Sequence, residues 1–167
     1  MDRFSEKCTI LDINEYPNLA SAHQTLANLA CNKEVELIQL QNDDIAFRCA
    51  LPVSVGTRSK IKREEPIVII VHNTDDIESI CPDVFPDRID FPFDQLPHVN
   101  YSNGIYPHTL CLSHENSSEW YSGISFRQYI LTIIQWFNDA ANHNLIKSNS
   151  GDEFEPHRFD GSTTLYL

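Results

Sequence analysis

Glycine is scarce in this 167-residue chain, and none of its five glycines belongs to a phosphate-binding loop. The chain also lacks a Gly-x-Ser-x-Gly element, so the sharp turn that presents the nucleophile of many serine hydrolases is missing. No Cys-x-x-Cys pair occurs among the five cysteines, which argues against a zinc site of the usual spacing. Three common kinds of functional motif are therefore absent from the sequence.

Basic residues are also few, since 12 Lys and Arg stand against 24 Asp and Glu, for a net charge of −12 at pH 7. Nucleic-acid grooves and anionic membrane surfaces are bound by clustered basic side chains, so this composition argues against both kinds of partner. Two interpretations of the acidic charge stay open. It keeps the domain in solution, or it speeds encounters with proteins that present a basic face.

No apolar run is long enough to span a bilayer, and the first residues lack the apolar stretch of a signal peptide. The cysteines are odd in number and irregular in spacing. We therefore expect a cytoplasmic protein with reduced cysteines, each of which is either a small buried hydrophobe or a reactive thiol.

Hydrophobic periodicity predicts two helices, one on each side of a β-rich region. Apolar residues recur at three- and four-residue spacing over 17–31, which is typical of an amphipathic helix. A broader apolar face over 126–145 predicts a second helix, with Ser125 as its N-cap.

Three strands are predicted between these helices, at 35–40, 45–51 and 67–71, with a turn at 41–44 and a polar loop at 56–65. A long irregular segment follows over 81–107, where five residue pairs end in proline. This order predicts an α+β fold, with helices around one antiparallel sheet. The length suits one domain over 1–147, followed by a polar tail or the start of a linker over 148–167.

Cys111 is the most informative single residue of the chain. It lies at the end of the irregular segment, and polar residues crowd around it in sequence. A structural cysteine usually has apolar surroundings, so this pattern favours a reactive thiol. A core cysteine at the end of a strand is the alternative.

The order of motifs around Cys111 resembles that of ubiquitin-conjugating enzymes. In that family a Tyr-Pro-type segment, a His-Pro-Asn tripeptide, a Cys-Leu pair, a Trp and a helix follow a strand meander. The corresponding motifs here are Phe85-Pro86, His98-Val99-Asn100, Ser102-Asn103-Gly104, Cys111-Leu112, Trp120 and the helix from Phe126. The resemblance covers residues 17–146 and implies the ubiquitin-conjugating-enzyme-like fold.

Two features of the chain depart from the family pattern. The tripeptide at 98–100 has no central proline and lies farther from Cys111, with 105–108 as the apparent insertion. The first predicted helix lacks the basic face with which family members often meet their activating enzyme. This divergence is similar to that of the prokaryotic E2-like domains in bacterial antiphage (CBASS-type) conjugation systems, which implies a role in antiviral defence.

The resemblance implies that Cys111 is a nucleophile that forms a thioester with the C-terminus of a ubiquitin-like or conjugated protein. Asn100 or Asn103 then donates to the oxyanion of the tetrahedral intermediate, although both asparagines also suit simple turns. His108 or His114 lowers the pKa of the thiol or takes a proton from an incoming lysine, unless they are ordinary surface histidines.

The implied partners are an activating (E1-like) enzyme or fused domain, the conjugated protein and a protein target, and no metal or cofactor is required. Two alternatives belong to other functional classes. A catalytically silent variant of the fold acts as a protein-binding module, which the incomplete His-Pro-Asn pattern favours. A thiol hydrolase pairs Cys111 with a histidine such as His143, but the papain-like class places its nucleophile at the start of a helix.

Overall fold

A computed structural model describes residues 8–56, 59–100, 106, 108–113 and 116–145. The predicted tail at 148–167 lies outside these residues. Five strands form one antiparallel sheet in chain order: β1 (Cys8–Leu11), β2 (Val35–Leu40), β3 (Ile45–Pro52), β4 (Glu64–Val71) and β5 (Asp83–Pro86). The α+β class with an antiparallel meander is confirmed.

The strand register divides the side chains of the sheet between two apolar faces. Phe47 pairs with Ile69 and points toward the helices, whereas Ala46 pairs with Ile70 and belongs to the opposite face. We call the buried residues of that opposite face the outer cluster: Ile38, Leu40, Ala46, Val68, Ile70 and Phe85. Because β4 is buried on both faces, its sequence is a continuous apolar run rather than an alternating one.

Within the described residues, three α-helices accompany the sheet: α1 (Ala20–Leu29), α2 (Ser117–Ser122) and α3 (Phe126–Ala141). Helix α3 packs against α1, and its buried positions Tyr129, Ile133 and Phe137 recur at the helical period. Its start is confirmed at Ser125, whose hydroxyl accepts the backbone N–H of Gln128 while the Gln128 side chain bonds back to the Ser125 N–H.

Several predicted boundaries were wrong at the ends of elements. The first helix was predicted over 17–31, but the chain forms a 3-10 turn at Pro17–Leu19 before α1, and α1 ends at Leu29. The last helix was predicted to reach residue 145, yet α3 ends at Ala141. His143 adopts a φ of 57°, and a left-handed residue of this kind ends a helix.

The predicted number of strands was also too small, because the sheet has five rather than three. Strand β1 precedes the first helix, and β5 lies inside the segment that was predicted to be irregular. Strand β1 is an edge strand with Thr9 and Ile10 exposed, so it has no alternating burial pattern to detect. Helix α2 is only six residues long and was not predicted either.

A buried ion pair joins Glu65, at the start of β4, to Arg88, which follows β5. Glu65 and Arg88 are 0% and 2% exposed, and the Arg88 guanidinium donates to both carboxylate oxygens of Glu65. The same guanidinium donates to the carbonyl of Lys60 at 2.8 Å, and the N–H of Lys62 donates to Glu65 Oε2 at 2.7 Å. The pair therefore ties the loop before β4 to the exit from β5.

A second, two-stranded sheet consists of β6 (Val99–Asn100) and β7 (Thr109–Leu110), which run antiparallel. Strand β7 packs beside β5, the last strand of the large sheet. The small sheet thus brings the end of the proline-rich segment against the edge of the main sheet, and this is where the candidate site forms.

Candidate functional site

Cys111 follows β7 directly, and its backbone extends the pairing with the segment before β6. The Cys111 N–H donates to the carbonyl of His98 at 2.9 Å. His98 has a φ of 59°, so a left-handed residue turns the chain into β6 at this point. The Cys111 thiol is half-buried and donates to the carbonyl of Ser113 at 3.4 Å. The backbone on both sides of Cys111 is therefore held in place.

The small sheet brings Asn100 to the same groove as Cys111. Asn100 pairs with Thr109 and Val99 pairs with Leu110, so the two strands meet directly before Cys111. The side chains of Val99 and Leu110 are buried in the main core, which holds this register. As a result Asn100 and Cys111 line one groove.

The groove has a volume of about 460 Å³ and is lined by the start of β5, the small sheet, the segment after Cys111, the start of α2 and Tyr129 of α3. Its floor is rigid. Tyr129 is fully buried, its hydroxyl donates to the carbonyl of Pro82 at 2.7 Å, and its ring lies 6.2 Å from that of Trp120. Burial raises the pKa of Tyr129 well above its usual value, so the phenol stays a neutral donor.

Residues 47–167 match the family model described as Prokaryotic E2 family A, a region that begins in β3 and includes the whole groove. This protein belongs to prokaryotic E2 family A. No curated protein and no solved structure matches the chain. Membership in the family supports a conjugating-enzyme-like transferase role and protein partners in general.

The predicted site residues of this E2-like protein fall into three groups. Cys111 and Asn100 lie together in the groove. His108 is half-buried and packs its ring edge-on against Phe93, with ring centroids 5.2 Å apart, and it does not line the groove. Asn103 and His114 lie outside the described residues, so their predicted roles stay predictions, as does that of His108.

Cys81 is a second thiol in the groove that the sequence did not single out. It lies two residues before β5, and its Sγ donates to the carbonyl of Pro82 at 3.6 Å. Burial, with a further contribution from Asp83, raises the pKa of Cys81 to about 11. The Cys81 thiol is therefore protonated at neutral pH and is a poor nucleophile there.

Asp83 is the acidic residue of the groove, and it is paired with a histidine on the neighbouring strand end. Its Oδ2 lies 3.0 Å from Nε2 of His72, which follows β4. This hydrogen bond raises the pKa of His72. Asp83 places a carboxylate in the same groove as Cys111, where it can accept a hydrogen bond from a bound amine.

Asn116, which directly precedes α2, is a further polar residue that lines the groove. Its Oδ1 accepts the N–H of Ser118 at 3.0 Å and thereby caps α2. An Asn followed by two Ser and a Glu is a recognisable N-cap signal, so this start of a helix was detectable in the sequence. Its place in the same groove as Cys81 and Asp83 was not detectable in this way.

The described residues contain no helix that is long and apolar enough to cross a membrane. They also contain no group of three or more His, Cys, Asp or Glu side chains arranged to hold a metal ion. None of the five cysteines, all of which are described, forms a disulfide.

Proposed function

We propose that this family A protein carries the C-terminus of a ubiquitin-like or otherwise conjugated protein as a thioester on Cys111, and then transfers it to a lysine or another nucleophile. The observation that supports this most strongly is the shared groove. Cys111 and Asn100 line it together, and the β6–β7 pair holds them in a defined register. A nucleophile and a neutral amide donor are the two groups that acyl transfer requires.

Loading of Cys111 is a thiol exchange. The Cys111 thiolate attacks the carbonyl carbon of a thioester on an activating (E1-like) enzyme, and the thiolate of that enzyme leaves. One C–S bond forms and one breaks, so the exchange costs little free energy. ATP is consumed only by the activating partner, and this domain needs no cofactor for the step.

Transfer replaces the C–S bond with an amide. The acceptor amine attacks the carbonyl carbon, the carbonyl oxygen becomes an oxyanion, and the Cys111 thiolate leaves as the intermediate collapses. The side-chain N–H of Asn100 is suited to the oxyanion because an amide donates without titrating. A proton from the amine passes to a base, for which His108 and His114 remain the sequence candidates.

Cys111 is favoured over Cys81 as the nucleophile on physical grounds. Both thiols line the groove, but burial raises the pKa of Cys81 to about 11, so its reactive thiolate is rarer at neutral pH than that of an ordinary cysteine. Cys111 is also next to the small sheet that holds Asn100, whereas Cys81 precedes the strand on the other wall. Action within a bacterial antiphage conjugation system is part of this proposal and is supported by the family resemblance alone.

A charging assay tests the proposal. The protein is incubated with an activating enzyme, a ubiquitin-like protein and ATP, and the products are separated without reductant. We expect a heavier species that disappears on addition of thiol, is absent in Cys111→Ala and becomes thiol-resistant in Cys111→Ser, because an oxygen ester replaces the thioester. Cys31→Ala is the matched control, since Cys31 is half-buried but lies outside the groove.

Persistence of the heavier species in Cys111→Ala would exclude Cys111 as the nucleophile. Absence of any adduct on the unaltered protein would instead bring forward the alternative function, a catalytically silent fold variant that binds proteins. That module would be detected by retained binding of the ubiquitin-like protein without charging.

A further inference from the structure

Tyr106 makes contacts that neither the groove nor the family resemblance explains. It lies between Asn100 and Cys111 in sequence but does not line the groove. Its hydroxyl donates to Asp44 Oδ2 and accepts from the side-chain amide of Asn42, and Asn42 also donates to Asp44 at 2.8 Å. Both partners belong to the turn between β2 and β3, more than 60 residues earlier in the chain.

The ring of Tyr106 is anchored as well. It packs on Phe85 with ring centroids 5.4 Å apart and planes inclined by 31°, and it covers part of the outer cluster. Phe85 belongs to β5, and the first two residues of that strand, Asp83 and Val84, line one wall of the groove. The Tyr106 side chain therefore lies on the face of the sheet opposite the helices, while Cys111 lies at the sheet edge.

The chain between Tyr106 and Cys111 is too short to move independently of this anchor. Four residues lie between the two positions, so five residue-to-residue steps span at most about 18 Å of extended chain. Within that distance His108 packs on Phe93 and Thr109 pairs with Asn100. Displacement of Tyr106 must therefore be absorbed at the start of β7, where the register between Asn100 and Cys111 is set.

We propose that Tyr106 is a positioning residue, whose hydrogen bond to Asp44 and ring contact with Phe85 hold β7 and Cys111 in register with Asn100. This inference rests on the proposed function for its catalytic consequence. These two contacts of Tyr106, which we call the Tyr106 anchor, act mainly on the transfer step. In that step the side-chain amide of Asn100 must be aligned with the thioester carbonyl on Cys111. Thiol exchange at Cys111 also passes through a tetrahedral intermediate, but it is less demanding because the attacking thiolate is a stronger nucleophile than an amine.

The hydrogen bond between the Tyr106 hydroxyl and Asp44 persists over the whole neutral pH range. Burial and the hydrogen bond to Asp44 raise the pKa of Tyr106 to about 12. The phenol is therefore protonated throughout the neutral range and donates to the Asp44 carboxylate, which is a charge-assisted hydrogen bond. Two groups on one side chain, a hydroxyl and a ring, thus fix the segment at two points.

The test compares Tyr106→Phe, Asp44→Ala and the double variant, with Tyr16→Phe as the matched control because Tyr16 packs against the main core away from the outer cluster. Charging of Cys111 and discharge of the thioester to free lysine are measured separately. We expect discharge to slow by about tenfold in each single variant, since a misplacement of about 1 Å can cost up to a hundredfold. Charging should stay within about twofold of the unaltered protein, and the double variant should be no slower than either single one.

Alkylation of Cys111 by iodoacetamide, followed by peptide mass mapping, gives a readout that does not depend on the proposed function. We expect faster alkylation of Cys111 in Tyr106→Ala and unchanged alkylation in Tyr16→Phe. If the unaltered protein forms no thioester, the proposed function fails, and alkylation still tests the anchor. The inference is overturned if discharge and alkylation are unchanged in the Tyr106 variants, or if charging and discharge fall together with thermal stability, which would make Tyr106 merely structural.

Discussion

Removal of one partner from the Glu65–Arg88 ion pair is expected to destabilise the fold more than any surface substitution. The pair fastens the exit from β5 to the loop before β4. Its side chains are 0% and 2% exposed, so neither charge can be hydrated when the other is lost. Breaking a buried ion pair in this way typically costs about 3–5 kcal/mol.

The hydrogen-bond partners that remain after each substitution determine how much stability that substitution costs within this range. In Glu65→Gln, Arg88 keeps its hydrogen bonds to the carbonyls of Lys60 and Asp90 and its contact with the exposed Asp90 carboxylate. We therefore expect a loss of about 3 kcal/mol. In Arg88→Met, the Glu65 carboxylate keeps only the N–H of Lys62, and the expected loss is about 4–5 kcal/mol.

Urea denaturation followed by tryptophan fluorescence measures these losses as shifts of the transition midpoint. Glu36→Gln is the matched control. The Glu36–Arg48 pair has a similar geometry, but its side chains are 43% and 19% exposed, so its loss should cost no more than about 1 kcal/mol. The double variant Glu65→Leu/Arg88→Met should recover most of the stability, because neither partner of the pair is then left as an unpaired buried charge.

Equal losses for Glu65→Gln and Glu36→Gln would refute the reasoning, since burial would then make no difference. A double variant that is less stable than Arg88→Met would refute it as well. If desolvation of the unpaired charge causes the loss, then replacing Glu65 in the Arg88→Met variant must restore stability, because it removes that unpaired carboxylate.

Three further predictions concern the groove. Asn100→Ala should slow discharge of the thioester by about 10²–10³-fold while charging is retained, because one oxyanion donor is lost; single-turnover discharge to lysine measures this. Tyr129→Phe should lower the free energy of unfolding by about 1–3 kcal/mol, because the buried carbonyl of Pro82 loses its hydroxyl donor and keeps only the weaker thiol donor of Cys81 among the hydrogen bonds of the described residues; urea denaturation measures it. Asp83→Asn should lower stability more at about pH 5.5 than at about pH 8.5, as thermal melting at the two pH values will show.

The sign of the last prediction follows from His72. Its pKa is raised in the folded protein by the hydrogen bond to Asp83, so the stabilisation is fully present below the unfolded pKa and is lost as the pH rises through the folded pKa. The pair is partly exposed, and its contribution is accordingly modest. A larger effect of Asp83→Asn at the higher pH would contradict the assignment. An Asn100→Ala variant with slower charging but normal discharge would contradict the role of Asn100.

Local pattern predicted the long elements of the fold well. The β-branched run at 67–71 lies within β4, and the apolar face of α3 begins at Phe126, directly after the predicted N-cap Ser125. Strand β2 has the predicted bounds, Val35–Leu40. These elements carry their own signal because each buries enough side chains to show a period.

The short elements were not predictable in the same way. Strand β5 has four residues and ends in proline, and α2 has six residues. Strands β6 and β7 have two residues each. Elements of this length exist because of their partners, so their own residues contain too little periodic pattern to identify them.

The sequence by itself predicted an α+β domain and a C-terminal helix capped by Ser125, and it pointed to Cys111 with either Asn100 or Asn103 as the residues to examine. Only the tertiary structure decided that Cys81 and Asp83 share the groove with Cys111, and that Tyr106 reaches Asp44 on the far side of the sheet. The reason is physical. Periodicity reports which face of an element is buried, whereas the meeting of distant residues depends on strand order, register and the packing of β7 beside β5.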